Sequence, residues 1–427
     1  MHNSLLSRHR AALPKWMTLY YDEPIALVDG EGCYAIDGEG RRYLDFFGGI
    51  LTTMTGYNVP EIVAAVRDQA GKMLHSSTLY LIESQVALAE EIAALSGIPD
   101  AKVFFTNSGS EAIDAALMLA TAYRRSNQVL AMRHSYHGRS FSTVPVTGMA
   151  SWSPSGLSPF NVSFVHGAYR YRSPFRHLDD AAYIQACQDD LVNILEVTTS
   201  GDVACLIAEP ILGVGGFATP PDGLFKAFQD VLKRHGILLI ADEVQTGWGR
   251  TGEHFWGYQA HGITPDLITF AKGLGNGLAI GGVIGRGEII DSFAANSIST
   301  FGGNPISTRG ALANLEVLRK GNLQANALAR GAQLRAGLEA LQARYPRTGD
   351  VRGKGLMQAI ELNEADGWTP SKPMAKALLE AAKARGLLVG MGGFYGNVIR
   401  IAPPLSLSAD ECAQGLAILE ECVDAVL

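Results

Sequence analysis

Lys272 stands in the stretch TFAKGLGNG, between an apolar run and the glycines Gly273, Gly275 and Gly277. Taken alone, a lysine at a strand end before a glycine turn is an ordinary surface residue. Held in a pocket with its pKa lowered, the same amine can form a Schiff base with an aldehyde. Two neighbouring motifs bear on the choice. In ILLIADEVQTGWGR, Asp242 closes an apolar strand, where a carboxylate calls for a cationic partner such as a protonated pyridine nitrogen. In FFTNSGSEA, a strand passes through Asn107, Ser108, Gly109 and Ser110 into a helix, whose free N–H groups and dipole suit a phosphate. A capping box of Ser108 with Glu111 accounts for the same serine and glutamate without any ligand.

A phosphate cradle, an acid for a ring nitrogen and a lysine for an aldehyde together describe pyridoxal 5′-phosphate (PLP). On these residues the sequence resembles the class III (ω-amino acid) aminotransferases of PLP fold type I, and within them the alanine–glyoxylate and 3-aminoisobutyrate–pyruvate group. The likeness runs through YLDFFGGI, TNSGSEA, YHGRS, ADEVQTGWGRTG, DLITFAKGLGNG, TFGGNP, GDVRGKGLM and NVIRIAPP. It implies that Lys272 holds the cofactor aldehyde and then moves the substrate proton, while Asp242 keeps the ring nitrogen protonated. Gly109 and Ser110 would bind the phosphate beside Ser108, with Thr300 reaching it from a partner subunit. Tyr136 would stack on the ring, Val244 would cover its other face and Gln245 would bond the ring hydroxyl, with His137 and Glu209 nearby. Without the resemblance, Tyr136 and Val244 would read as core residues.

The substrate end follows from two arginines. Arg400, inside the candidate strand NVIRIAPP, carries a guanidinium that needs a carboxylate or an equivalent acceptor. The resemblance makes it the grip on a substrate carboxylate; an internal salt bridge is the structural alternative. Arg139 in YHGRS matches a position used by some relatives for the distal carboxylate of an ω-amino acid, and reads equally as a surface residue. Many relatives that use 2-oxoglutarate carry EPxQGEGG, whose second glutamate gates the arginine. This chain reads EPILGVGG, with Glu209 kept, Leu212 in place of the glutamine and Val214 in place of the gate. An ungated arginine suits a small 2-oxo acid acceptor, pyruvate or glyoxylate. Ile50, Tyr80 and Val214 are expected at the substrate, and Trp16, Tyr20 and Tyr21 near it.

The elements that must position these residues are legible as patterns. Continuous apolar runs at KVFFT, QVLAMR, ACLIAEP, ILLIADE and DLITFAK suit strands covered on both faces. Helical patterns from Ser110 and from Gly223 alternate with them, giving an α/β domain, and the resemblance to PLP fold type I implies that its sheet is mainly parallel, of seven-stranded type and flanked by helices. From about Ser307 the texture turns to long Ala/Leu/Arg helices and the candidate strands MQAIEL, GLLVGM and NVIRIAPP, a smaller α+β unit. A hairpin around Asp37-Gly38 opens the chain and is expected to pack with it. The expected division is 59–306 for the large PLP-binding domain and 1–58 with 307–427 for the small one.

Composition bounds the rest. The 427 residues are 47% hydrophobic and 18% charged, with a net charge of −7, enough to bury a large core and unsuited to nucleic acid. No apolar run reaches the ~20 residues of a membrane span. The five cysteines form no CxxC pair, which suits a reducing, cytoplasmic setting. Residues 1–15 carry Arg8, Arg10 and Lys15 and no acid, a weak likeness to a transit peptide without a signal-peptide core. His134 and His137 lack a third ligand, so no metal is expected. The resemblance implies a ping-pong transaminase, a homodimer or a tetramer with sites at the subunit interface. PLP chemistry on one fold leaves an aminomutase, a decarboxylase, a transaminase that uses 2-oxoglutarate or a specialised biosynthetic substrate, or more remotely a non-catalytic PLP-binding protein as alternatives.

Overall fold

The computed structural model describes residues 2–427, beginning with a helix over His2–Ala12. Three short antiparallel strands follow, β1 (Leu27–Glu31), β2 (Tyr34–Asp37) and β3 (Arg42–Asp45). The Asp37-Gly38 hairpin joins the last two. Asp37 Oδ1 accepts from the backbone N–H of Glu39 and Arg41, and Gly40 supplies a φ of 81° that glycine adopts without strain.

The five apolar runs form five of the seven strands of one central sheet, which comprises β4 (Ala101–Thr106), β5 (Gln128–Met132), β6 (Asn161–Val165), β7 (Val203–Ala208), β8 (Leu238–Asp242), β9 (Leu267–Phe270) and β10 (Gly281–Arg286). Their order is β4-β10-β9-β8-β7-β5-β6, parallel except for β10, which runs antiparallel to both neighbours. Every residue of β7, β8 and β9 is buried, as continuous apolarity requires. Helices over Gly109–Arg124, Asp180–Val197 and Leu224–Arg234 alternate with these strands. The sequence reading passes over two strands. β6 is a partly exposed edge with a serine at its centre, and β10, GGVIGR, is too glycine-rich to signal a strand. Those glycines admit close neighbours: a Cβ on Gly282 would sit 2.6 Å from the Phe270 ring, and one on Gly281 would sit 2.7 Å from the Ser108 carbonyl.

After the helices Pro305–Lys320 and Leu323–Arg344 come β11 (Thr348–Lys354), β12 (Met357–Leu362), β13 (Leu387–Leu388), β14 (Gly390–Gly392) and β15 (Val398–Ile401). Sequence reading takes GLLVGM as one strand. The structure divides it: β13 pairs in parallel with β3, whereas β14 joins a second sheet of order β11-β12-β15-β14. The chain crosses between sheets at Val389, and a Cβ on Gly390 would meet the Phe47 ring at 2.3 Å. Through β13 the C-terminal part completes the sheet that the N-terminal segment begins.

Candidate active site

Parallel strands deliver their carboxyl ends to one edge of a sheet, where open α/β folds bind ligands. Asp242 ends β8, Glu209 follows β7, Lys272 follows β9, Asn107 follows β4, and Tyr136 lies just beyond β5. They meet around a cavity of about 370 Å³, which is also lined by Ser108, Gly109, Ser110, His137, Arg139, Val244 and Gln245. Most of the residues singled out for the cofactor therefore converge. Thr300, Tyr80, Ile50, Val214 and Arg400 are not among the cavity's lining.

At one end the helix Gly109–Arg124 presents its N-terminus. Ser108 Oγ accepts from Glu111 N at 3.2 Å, but the Glu111 carboxylate turns to Asn107 N at 2.7 Å rather than to Ser108. The cap is thus not the reciprocal box that the spacing suggests. A Cβ on Gly109 would come within 3.2 Å of Val244, a tight contact, so glycine lets the backbone N–H groups approach the cavity without crowding that side chain.

In the floor, Asp242 is 3% exposed, and its Oδ2 lies 2.7 Å from His137 Nδ1. Its Oδ1 accepts from Val244 N at 3.1 Å. His137 Nε2 is buried without a partner, as is Gln245 Oε1, so both retain capacity toward a ligand. Glu209 Oε1 accepts from Tyr136 N at 2.8 Å and Oε2 from Gly213 N at 2.7 Å. Burial pushes the Glu209 carboxyl up to about 7, against the opposing pull of His137. Burial also lowers the Lys272 pKa, with Asp242 and Glu209 opposing. The lysine sits in left-handed backbone, φ 44°, a conformation a non-glycine residue keeps only where its surroundings impose it.

Arg400 lies beyond this cavity and is 5% exposed. Its Nη1 donates to Gly213 O at 3.3 Å and its Nη2 to Met391 O at 3.2 Å, while Nε has no partner. The Phe47 and Phe217 rings flank the guanidinium at 5.1 and 5.5 Å. No Asp or Glu oxygen pairs with it among the described residues, so the internal salt bridge expected as its alternative is not formed. Val214 is half-buried, and its carbonyl accepts from Gly393 N. Arg139 is exposed at the cavity.

Some contacts escape sequence reading, and for Tyr20, a residue expected near the substrate, it is the bonds rather than the residue that do. Thr52, Ile113, Leu278 and Ile280 line the cavity. Trp152 meets the Tyr136 ring edge-on at 5.2 Å. The Tyr20 hydroxyl donates to Met391 O and accepts from Met391 N, locking the carbonyl that holds Arg400. These residues are scattered along the chain, and only the motif YLDFFGGI, which ends at Ile50 two residues before Thr52, offers a signal.

The chemistry of the donor set fits PLP: helix N–H groups for a phosphate, a buried carboxylate for a ring nitrogen, and an amine whose proton affinity is lowered. Comparisons with known proteins agree. The family model for aminotransferase class-III matches residues 19–423. The chain is 39% identical over 416 residues to alanine–glyoxylate aminotransferase 2 homolog 2, mitochondrial, of Arabidopsis thaliana, covering 95% of this chain and 84% of that one. It is 37% identical over 434 residues to the 5-aminovalerate aminotransferase DavT of Pseudomonas aeruginosa, covering 99% and 98%. Among solved structures, an (S)-enantioselective omega-transaminase from Thermomicrobium roseum superimposes with a TM-score of 0.91 at 32% identity, over 100% of this chain and 99% of that one. An amine transaminase from an uncultivated Pseudomonas species, in its PLP-bound form, gives 0.92 at 29% identity, over 97% and 99%.

Proposed function

The chain belongs to the class-III aminotransferases, which act with PLP, and from that we propose that it moves the amino group of an amino acid or a β- or ω-amino donor to a small 2-oxo acid, pyruvate or glyoxylate, in a ping-pong cycle. One observation carries the acceptor half: the buried Arg400 guanidinium has no carboxylate partner among the described residues, and valine stands where a gating glutamate would be. A small carboxylate then meets a cation already desolvated and free, with no ion pair to displace. Arg139, exposed at the other side of the cavity, suits a donor with a distal carboxylate.

PLP, when bound, takes up the amino nitrogen and withdraws electrons from the bond that breaks at the substrate carbon. Ser108, Gly109 and Ser110 would hold its phosphate, Asp242 its ring nitrogen and Lys272 its aldehyde. The other tasks fall to side chains. Asp242, held by His137 at 2.7 Å, would be oriented toward that ring nitrogen. Lys272, with its pKa lowered by burial, would be the base that takes the proton from the substrate carbon and returns it. Arg400 fixes the carboxylate, and thereby the bond presented to Lys272.

We read the active enzyme as a homodimer, because Thr300 and Tyr80 lie outside the cavity on an exposed apolar strip with Leu79, Leu81, Ile298 and Phe301. The division into 59–306 and 1–58 with 307–427 is supported by β13, which ties the N-terminal sheet to the C-terminal part. The cysteines are buried and free, in keeping with a reducing, cytoplasmic setting. No helix among the described residues is long and apolar enough to cross a membrane.

The test is the visible spectrum of the PLP-loaded protein while L-alanine, β-alanine, a γ-amino acid and an arylalkylamine are added separately. The cofactor's yellow band should fade with at least one donor and return with pyruvate or glyoxylate. A band that no donor bleaches, or that only 2-oxoglutarate restores, would overturn this reading.

A further inference from the structure

Four consecutive residues, Gly48 to Leu51, hold left-handed backbone, with φ of 55°, 58°, 65° and 61°. Glycine accepts this freely, but Ile50 is β-branched and Leu51 bulky, and both resist it. One buried carboxylate restrains the turn. Asp45, 2% exposed, accepts at Oδ1 from Phe47 N at 2.8 Å and Gly48 N at 2.9 Å, and at Oδ2 from the Tyr57 hydroxyl at 2.6 Å. Burial and the Asp45 charge push the Tyr57 hydroxyl well above the ordinary phenol range, so it remains a donor. Tyr57 is itself fixed: its N–H donates to Gly32 O at 2.8 Å, and its ring packs so closely on Gly30 that a Cβ there would lie 2.5 Å away.

The turn runs between the two halves of the site. At its start, the Phe47 ring lies 5.1 Å from the Arg400 guanidinium and 5.5 Å from the Tyr20 ring. Within it, Leu51 is buried with Ile211 and Phe217, and Phe217 is the second ring beside Arg400. At its end, Thr52 lines the cofactor cavity. A shift of the turn therefore moves the aromatic seat of Arg400 relative to Lys272.

We propose that Asp45 and Tyr57 are positioning residues, which hold this left-handed turn so that Arg400 presents a substrate carboxylate at the correct distance from the cofactor cavity. The proposal rests on the transaminase reading above. Its signature is selective, because a donor without a carboxylate does not use Arg400, whereas a general loss of structure penalises every donor alike.

The test uses the PLP-loaded Tyr57→Phe and Asp45→Asn proteins. Tyr57→Phe should raise the ratio of KM for β-alanine to KM for an arylalkylamine about tenfold, with a smaller change in kcat, and Asp45→Asn should raise it further. Amide hydrogen exchange over residues 46–53 should quicken in both variants while the central sheet keeps its protection. Equal rises in KM for both donors, or unchanged exchange over 46–53, would overturn the proposal. Should wild type itself bleach with no donor, the transaminase reading falls, and the exchange measurement alone then decides whether the clamp exists.

Discussion

Arg400 is a buried cation that ends on two carbonyls and two aromatic rings. Such a group is costly to leave without an anion, so what stands beside it decides which substrate provides one. Val214 leaves the place open. Val214→Glu introduces a carboxylate one residue from Gly213, whose carbonyl Arg400 already touches, and a monocarboxylate must then displace an ion pair. The expected result is a fall of about tenfold in kcat/KM for pyruvate relative to 2-oxoglutarate, the scale on which one partly buried pair discriminates. Steady-state kinetics with both acceptors checks this, and an unchanged preference would sink the gate argument. At this scale the sequence is informative wherever a charged residue interrupts an apolar run, because burial leaves it few roles: Lys272, Asp242 and Arg400 stand out for that reason. Trp152 does not stand out, since an aromatic residue is unremarkable until folding sets it against Tyr136, and Tyr20 is expected near the substrate without any sign of its bonds to Met391.

Strand ends bring residues to the site, but the loop that carries Lys272 needs a separate clamp. Asn314, fully buried on the helix Pro305–Lys320, donates to both Gly273 O and Leu274 O at 2.8 Å, and its Oδ1 accepts from the Thr55 hydroxyl at 2.7 Å. Asn276 closes the other side, accepting from Thr55 N and donating to Gly56 O. Between these bonds Lys272 keeps its left-handed φ. Asn314→Ala strands the Leu274 carbonyl and the Thr55 hydroxyl and leaves Gly273 O with the Asn276 N–H alone, and should cost about 2–4 kcal/mol of stability, with faster loss of PLP on dialysis. Urea unfolding of the two proteins measures the first and cofactor absorbance the second; a difference under about 0.5 kcal/mol would show that the loop holds itself. The strands were legible because both-face burial writes a continuous apolar run. The clamp was not, because a polar residue on an Ala/Leu helix reads as solvent-facing until tertiary contacts define its environment. β10 and the crossing at Val389 were missed for a related reason, since glycine carries no side-chain signal and its value lies in what packs against it.

At the scale of the whole molecule, one chain leaves apolar surface that a soluble monomer would not keep. Leu81 is 98% exposed, with Leu79, Tyr80, Ile298 and Phe301 also open to solvent, and a contiguous strip of this kind marks an association surface. Its two segments are stitched together, as Thr78 Oγ1 donates to Ser299 O and the His75 and Phe301 rings lie 4.8 Å apart. The strip also borders the site, since Asn107, in the cavity wall, donates to Ser299 Oγ at 3.3 Å. A two-fold dimer across it would bring one protomer's Thr300 toward the other's phosphate cradle, and this has a consequence that no monomer can imitate. Lys272→Ala removes a protomer's own amine, whereas Thr300→Glu in such a dimer would place a charge against the phosphate held by its partner. Each variant alone should be inactive. Co-expressed and randomly paired, half of the dimers are mixed, and each mixed dimer has one site with both residues intact, so activity should return to about a quarter of the wild-type value per chain. Sedimentation should show dimers throughout. If the mixture stays inactive, or if Thr300→Glu alone is fully active, Thr300 does not act across the interface, and the strip must be covered in some other way.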